Sequence, residues 1–120
     1  MKRTALVSAL AGAAFLAASG AALAAGGTTI TVKADPVGLK YDKSAITAKA
    51  GKVTLVMPNP SMLQHNVAIK GTGVKTVLGN VVGKGGTSRV SATLKPGVYT
   101  FFCSVAGHEA GGMKGTLTVR

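Results

Sequence analysis

Four side chains in this sequence carry chemistry that the rest do not. Cys103, His108 and Met113 form a C-x4-H-x4-M run, and His65 lies 38 residues before the cysteine. Each alone has an ordinary explanation. A lone Cys is usually a small buried hydrophobe, a His at a strand start a half-buried polar group, and a Met core filler. Together they are harder to dismiss: given Cys103, a His and a Met at two set positions arise by chance about once in 1,500 in a chain of this composition. A thiolate, two imidazoles and a thioether make a soft, mixed donor set, and a His2Cys site with a weak axial Met is the arrangement of copper centres that pass single electrons. Zinc accepts the thiolate and imidazoles but gains little from the thioether. Haem attachment needs C-x-x-C-H, which is absent, and hard cations need carboxylates, of which there are only Asp35, Asp42 and Glu109.

To converge, these donors need a scaffold, and the sequence reads as short strands separated by turns. Residues 28–33 alternate with Ile30 and Val32 on one face, and 44–49 do so with Ile46 and Ala48. Val53, Leu55 and Met57 continue the pattern after Gly51, until Pro58-Asn59-Pro60 stops it. His65 shares a face with Val67 and Ile69 and so points toward the core. Val90, Ala92 and Leu94 mark a further strand. After the Pro96-Gly97 turn, residues 98–103 carry Tyr99, Phe101 and Cys103 in phase, and 115–120 close the chain with Leu117 and Val119 inward. This is the pattern of an all-β, antiparallel sandwich. Residues 104–114 form a loop in which Gly107, Gly111 and Gly112 allow two more donors to fold around one point. Residues 72–86 are the exception. Val74, Val77, Leu78, Val81 and Val82 fall at helical spacing, interrupted by Gly79 and Gly83, and predict a crossover with at most a short helix.

Composition agrees with one exported domain. Of 120 residues, the first 24 hold 17 apolar side chains. Lys2 and Arg3 precede the apolar run 5–18, and Ala22-Leu23-Ala24 supplies a small-x-small cut site. Residues 1–24 are therefore expected to be a signal peptide, and 25–120 the mature domain, working in the periplasm or outside the cell. An oxidising compartment makes a single thiol unusual unless a metal occupies it. From residue 25 onward, twelve Lys and Arg stand against three Asp and Glu, a charge of +9. Export, few aromatics and scattered lysines exclude nucleic acid as a partner. Neither paired carboxylates, nor a Ser/His/Asp set, nor a phosphate loop can be assembled, so an enzyme is not expected.

The segment YTFFCSVAGHEAGGMKGTLTV (99–119), with QHNV at 64–67 and ITAKAGKVTLVMPN at 46–59, resembles the cupredoxin family of plastocyanin/azurin-type blue copper proteins. The resemblance covers essentially all of the mature chain, and the four-and-four ligand spacing is similar to that of auracyanin and rusticyanin rather than plastocyanin. It implies a Greek-key β-sandwich with one copper near one end, bound by His65, Cys103, His108 and Met113. It also implies that Asn66 and Ser104 hydrogen-bond to tie the His65 strand to the Cys103 loop. One departure is Ala106, where many relatives carry Pro, so a looser loop is expected.

The function this implies is a single-electron shuttle, monomeric, serving redox proteins of cytochrome, oxidase or reductase type. The +9 charge points to acidic partners and admits work near a membrane surface. The alternative, a copper carrier or store, fits less well: a buried thiolate retains metal, and exposed Met- or His-rich clusters are absent. A metal-free adhesion sandwich leaves the four-residue coincidence unexplained.

Overall fold

The alternating segments become eight strands in this computed structural model, which describes residues 27–120. β1 is Thr28–Thr31, β2 Ala45–Ala48, β3 Gly51–Pro58, β4 Ala68–Gly71, β5 Val74–Leu78, β6 Thr87–Leu94, β7 Gly97–Phe102 and β8 Lys114–Val119. They form a three-stranded sheet, β1-β3-β6, and a five-stranded sheet, β2-β8-β7-β4-β5. The chain crosses between sheets after β1, β2, β3, β5 and β6, in the Greek-key manner. No helix occurs among the described residues. The expected signal peptide, 1–24, and the first two residues of the expected mature domain lie outside them.

Period-two alternation does the layering. Val53, Leu55 and Met57 of β3 and Val90 and Leu94 of β6 turn inward from one sheet. Tyr99 and Phe101 of β7, Leu117 and Val119 of β8 and Ile46 and Ala48 of β2 meet them from the other. Fully burying each large side chain stabilises the fold by about 1.5–3 kcal/mol, so this shared layer is the main adhesive.

Two expectations need correcting. The sandwich is mixed rather than antiparallel, because β1 runs parallel to β3 and β2 parallel to β8. Both are edge strands, and the long segment between them carries the chain from one sheet to the other. The helix expected within 72–86 is absent. Pairing there runs Ala68 to Leu78, Ile69 to Val77 and then Gly71 to Val74, so β5 holds one more residue than β4 over this stretch. The bulge puts Val74 and Val77, three apart, on the same half-buried side, a spacing that imitates a helical turn. Gly79 ends the strand: its N–H donates to the Val67 carbonyl at 2.9 Å, and a Cβ there would overlap that same oxygen.

The end of the sandwich where β3, β4 and β7 meet the long loops is where the chemistry gathers. β3 ends at Pro58 and leads into residues 59–65, while β7 ends at Phe102 and delivers Cys103. Phe102 faces Lys114 across the β7–β8 ladder, so residues 103–113 are a loop held at its base by that ladder.

Candidate metal centre

His65 stands just before β4, pinned by an isolated antiparallel bridge to Val82. Its N–H donates to the Val82 carbonyl at 3.1 Å, and Val82 N–H returns to the His65 carbonyl at 2.9 Å. Cys103 is held by its N–H, which donates to the Met113 carbonyl at 3.0 Å, and Met113 N–H donates to the His108 carbonyl at 3.0 Å. The two ends of the C-x4-H-x4-M run are thereby stitched together. His108 N–H donates to Val105 at 3.0 Å, and Gly107 takes a φ of +82°, which a side chain would resist. These bonds hold the loop on both sides of Ala106.

The result is convergence. Donor atoms of His65, Cys103 and His108 all lie within 4.8 Å of one another. The two Nδ1 atoms are 3.1 Å apart, and Cys103 Sγ is 3.9 Å from His65 Nδ1 and 3.6 Å from His108 Nδ1. His65, Cys103 and Met113 are sealed from solvent, whereas His108 is half-buried. Met113 thus lies beside the cluster through its backbone bonds to both Cys103 and His108.

The donor set fits a soft metal. The two imidazole Nδ1 atoms and the Cys103 sulfur face one another, a nitrogen and sulfur donor set with no carboxylate in it, while His65 Nε2, on the other side of its ring, is buried without a hydrogen-bond partner. Burial first, and then the neighbouring His108, push the His65 pKa below its ordinary value. The ring is therefore neutral near pH 7, as a ligand must be.

Asn66 and Ser104 hydrogen-bond to one another. Asn66 accepts from the Ser104 N–H at 2.7 Å and donates from Nδ2 to Ser104 Oγ at 2.8 Å and to the Gly79 carbonyl at 2.9 Å. The Asn66 carbonyl in turn accepts from the Tyr41 hydroxyl at 2.7 Å. Burial above all raises the pKa of that hydroxyl, which stays protonated and keeps donating.

Two supporting residues were not foreseen. Asn59, buried between Pro58 and Pro60, donates to the carbonyls of Leu63 and Val82 at 2.8 and 2.9 Å and accepts from Ser61 N–H at 2.9 Å. The signal was available: an Asn flanked by two residues that cannot donate is well suited to organise a loop through its side chain. Tyr41 carried no such signal, because its partner is 25 residues away.

Around His108 the surface is apolar apart from the Lys70–Glu109 ion pair beside it. Ala106, Gly107, Ala110, Gly111 and Gly112 are exposed, and Met62 (80%) and Leu63 (46%) also face solvent rather than packing inward. Leu39 abuts Gly111. Its turn is fixed by the Asp35 carboxylate, which accepts the N–H groups of Gly38 at 2.6 Å and Val37 at 3.0 Å and is held below its usual pKa by those bonds.

With this geometry in hand, comparison with known proteins is informative. The copper binding proteins of the plastocyanin/azurin family match the chain over residues 28–120. No curated protein sequence matches it. Among solved structures, the chain is similar to sodium-dithionite-reduced auracyanin from the photosynthetic bacterium Roseiflexus castenholzii, at 30% identity and a TM-score of 0.67, covering 78% of this chain and 97% of that one. Auracyanin B (24% identity, TM-score 0.66, 78% and 88% covered) shares the fold. So does auracyanin A, a "blue" copper protein from the green thermophilic photosynthetic bacterium Chloroflexus aurantiacus (23%, 0.67, 79% and 100%). One copper per chain suits the cluster of His65, Cys103 and His108 with Met113 beside it.

Proposed function

The chain belongs to the plastocyanin/azurin family of copper-binding proteins, and from that premise we propose that it carries single electrons between larger redox proteins outside the cytoplasm. The observation that carries this reading is the meeting of His65, Cys103 and His108 donor atoms within 4.8 Å, with two donors sealed and His108 half-buried. His65, Cys103 and His108 would hold the metal, with Met113 as a weak fourth donor. Copper bound there would supply a one-electron Cu(I)/Cu(II) couple.

The residues of the chain do the rest. The bridge to Val82 and the Asn66–Ser104 bonds hold His65 and Cys103 in one geometry, so little rearrangement accompanies a change of charge. Burial excludes water from the sulfur. The half-buried ring of His108, in its apolar rim, is the route in and out. Four donors from the protein would leave no position open for a substrate, which suits a carrier and not a catalyst.

Docking follows from charge and rim together. The net +9 beyond residue 24 steers an acidic partner, and the small flat rim allows brief contact. Electron transfer to an acidic partner protein should slow as ionic strength rises. Ala110→Glu should slow it further, by about tenfold, without changing the visible spectrum. Stopped-flow rates indifferent to both would overturn this docking face. Copper release to a chelator should also be far slower than electron self-exchange; the reverse order would mark a protein that delivers the metal.

Met113 can be tested separately. Met113→Gln replaces a soft sulfur by a harder oxygen that favours Cu(II). The midpoint potential should fall while copper stays bound. An unchanged voltammogram would remove Met113 from the axial role and turn attention to Met57 or Met62.

A further inference from the structure

Positive charge at the opposite end of the sandwich is used by nothing described so far. Lys49, Lys52, Lys95 and Arg120 are exposed, and the backbone brings them to one pole. Ala50 N–H donates to the Arg120 carbonyl at 2.8 Å, next to Lys49. Lys52 faces Thr93 and Gly51 faces Leu94 across the β3–β6 ladder, so Lys95 follows its last rung. The other end of that ladder, where Pro58 faces Thr87, leads to the loop before His65. The pole and the metal cluster therefore lie at opposite ends.

Among the described residues no Asp or Glu side chain pairs with these four cations. Among the described residues the ion pairs are Lys43–Asp42 and Lys70–Glu109. The third carboxylate, Asp35, is committed to the 37–38 turn near the metal end.

We propose that this pole rests on an anionic lipid surface, with the ligand loop facing away toward soluble partners. Two observations favour lipid over an acidic protein. A protein contact draws most of its energy from a few anchors, aromatic ones foremost, seated in well-packed pockets. Here the aromatic ring, Tyr99, is buried, and its hydroxyl is spent on the Lys95 carbonyl at 2.8 Å. What remains is cations on long stems, with the exposed Val98 beside them, a set that matches diffuse headgroup charge. Secondly, the first 26 residues, with their apolar run, join the body at Gly27, which packs against the Lys52 carbonyl at this same pole. A bilayer engaged by the segment before Gly27 would therefore meet the body at this pole first. None of this depends on the metal, so apoprotein and copper protein should bind alike, and a failure here leaves the electron-carrier reading standing.

Sedimentation of the full chain with vesicles provides the test. The probes are mixed phosphatidylglycerol/phosphatidylcholine vesicles and phosphatidylcholine vesicles alone. Lys49→Glu/Lys52→Glu/Lys95→Glu is compared with Lys33→Glu/Lys84→Glu/Arg89→Glu, which has the same net charge and leaves the pole intact. The first should lose about 100-fold in partitioning to anionic vesicles, each Lys at such a surface being worth about a factor of five. The second should lose about threefold or less, because charges beyond a Debye length are screened. Equal losses in both, no preference of the parent chain for anionic over neutral vesicles, or tighter binding to soluble polyglutamate than to the vesicles would each overturn the proposal.

Discussion

Cys103→Ser is expected to abolish the blue colour of the copper-loaded protein and to weaken Cu(II) binding by orders of magnitude. The sulfur sits 3.6 Å from His108 Nδ1 and 3.9 Å from His65 Nδ1, fully sealed from solvent. A thiolate there is a strong, soft donor, whereas a serine hydroxyl keeps its proton at neutral pH and cannot replace it. The fold should survive, because the bond from the residue 103 N–H to the Met113 carbonyl is a backbone interaction and Ser is nearly isosteric. The experiment therefore separates site from scaffold. Titration with Cu(II) followed by visible absorption reads the site, and thermal unfolding with and without copper reads the linkage. Ligand held at about 100 times its Kd adds about 2.7 kcal/mol to the parent protein, and that increment should vanish in the variant. A Cys103→Ser protein that stayed blue would show that the sulfur is not a ligand.

Asn66→Ala should produce the largest loss of stability among the residues supporting the centre, about 3 kcal/mol. The side chain is fully buried and makes three bonds, two to Ser104 and one to the Gly79 carbonyl. Truncation leaves the buried Gly79 carbonyl without this donor, and it unties the segment carrying His65 from the loop carrying Cys103. For a domain of this size the melting temperature should fall by about 15 °C. Ser104→Ala, which removes a single hydroxyl, should cost about 1 kcal/mol. The order of the two variants is the decisive result. If Asn66→Ala melted no lower than Ser104→Ala in parallel denaturation curves, Asn66 would not be the tie between the two segments. A shifted visible band in Asn66→Ala, with copper still bound, would register the loosening at the metal itself.

Much of this could be read before any tertiary structure. Alternation places Val53, Leu55, Met57, Tyr99, Phe101 and Leu117 in the core because a strand turns each side chain to the opposite face from the last. The donor residues were legible for another reason. Three of them sit on one eleven-residue stretch, and His65 betrays its direction through its phase with Val67 and Ile69.

What only the tertiary structure decided is pairing over distance. Phase along a strand says which face is buried but not which strand lies alongside or in which direction, so the parallel entries of β1 and β2 left no local mark. The β5 bulge misled because an extra residue breaks the two-residue period, and Val74 and Val77 then imitate a helix. The Tyr41–Asn66 bond and the cationic pole opposite the metal end exist only when segments far apart in the chain are brought together. Local physics names the donors and the inward faces. The packing of two sheets, which buries the most apolar surface in only one arrangement of the edges, sets where those donors meet.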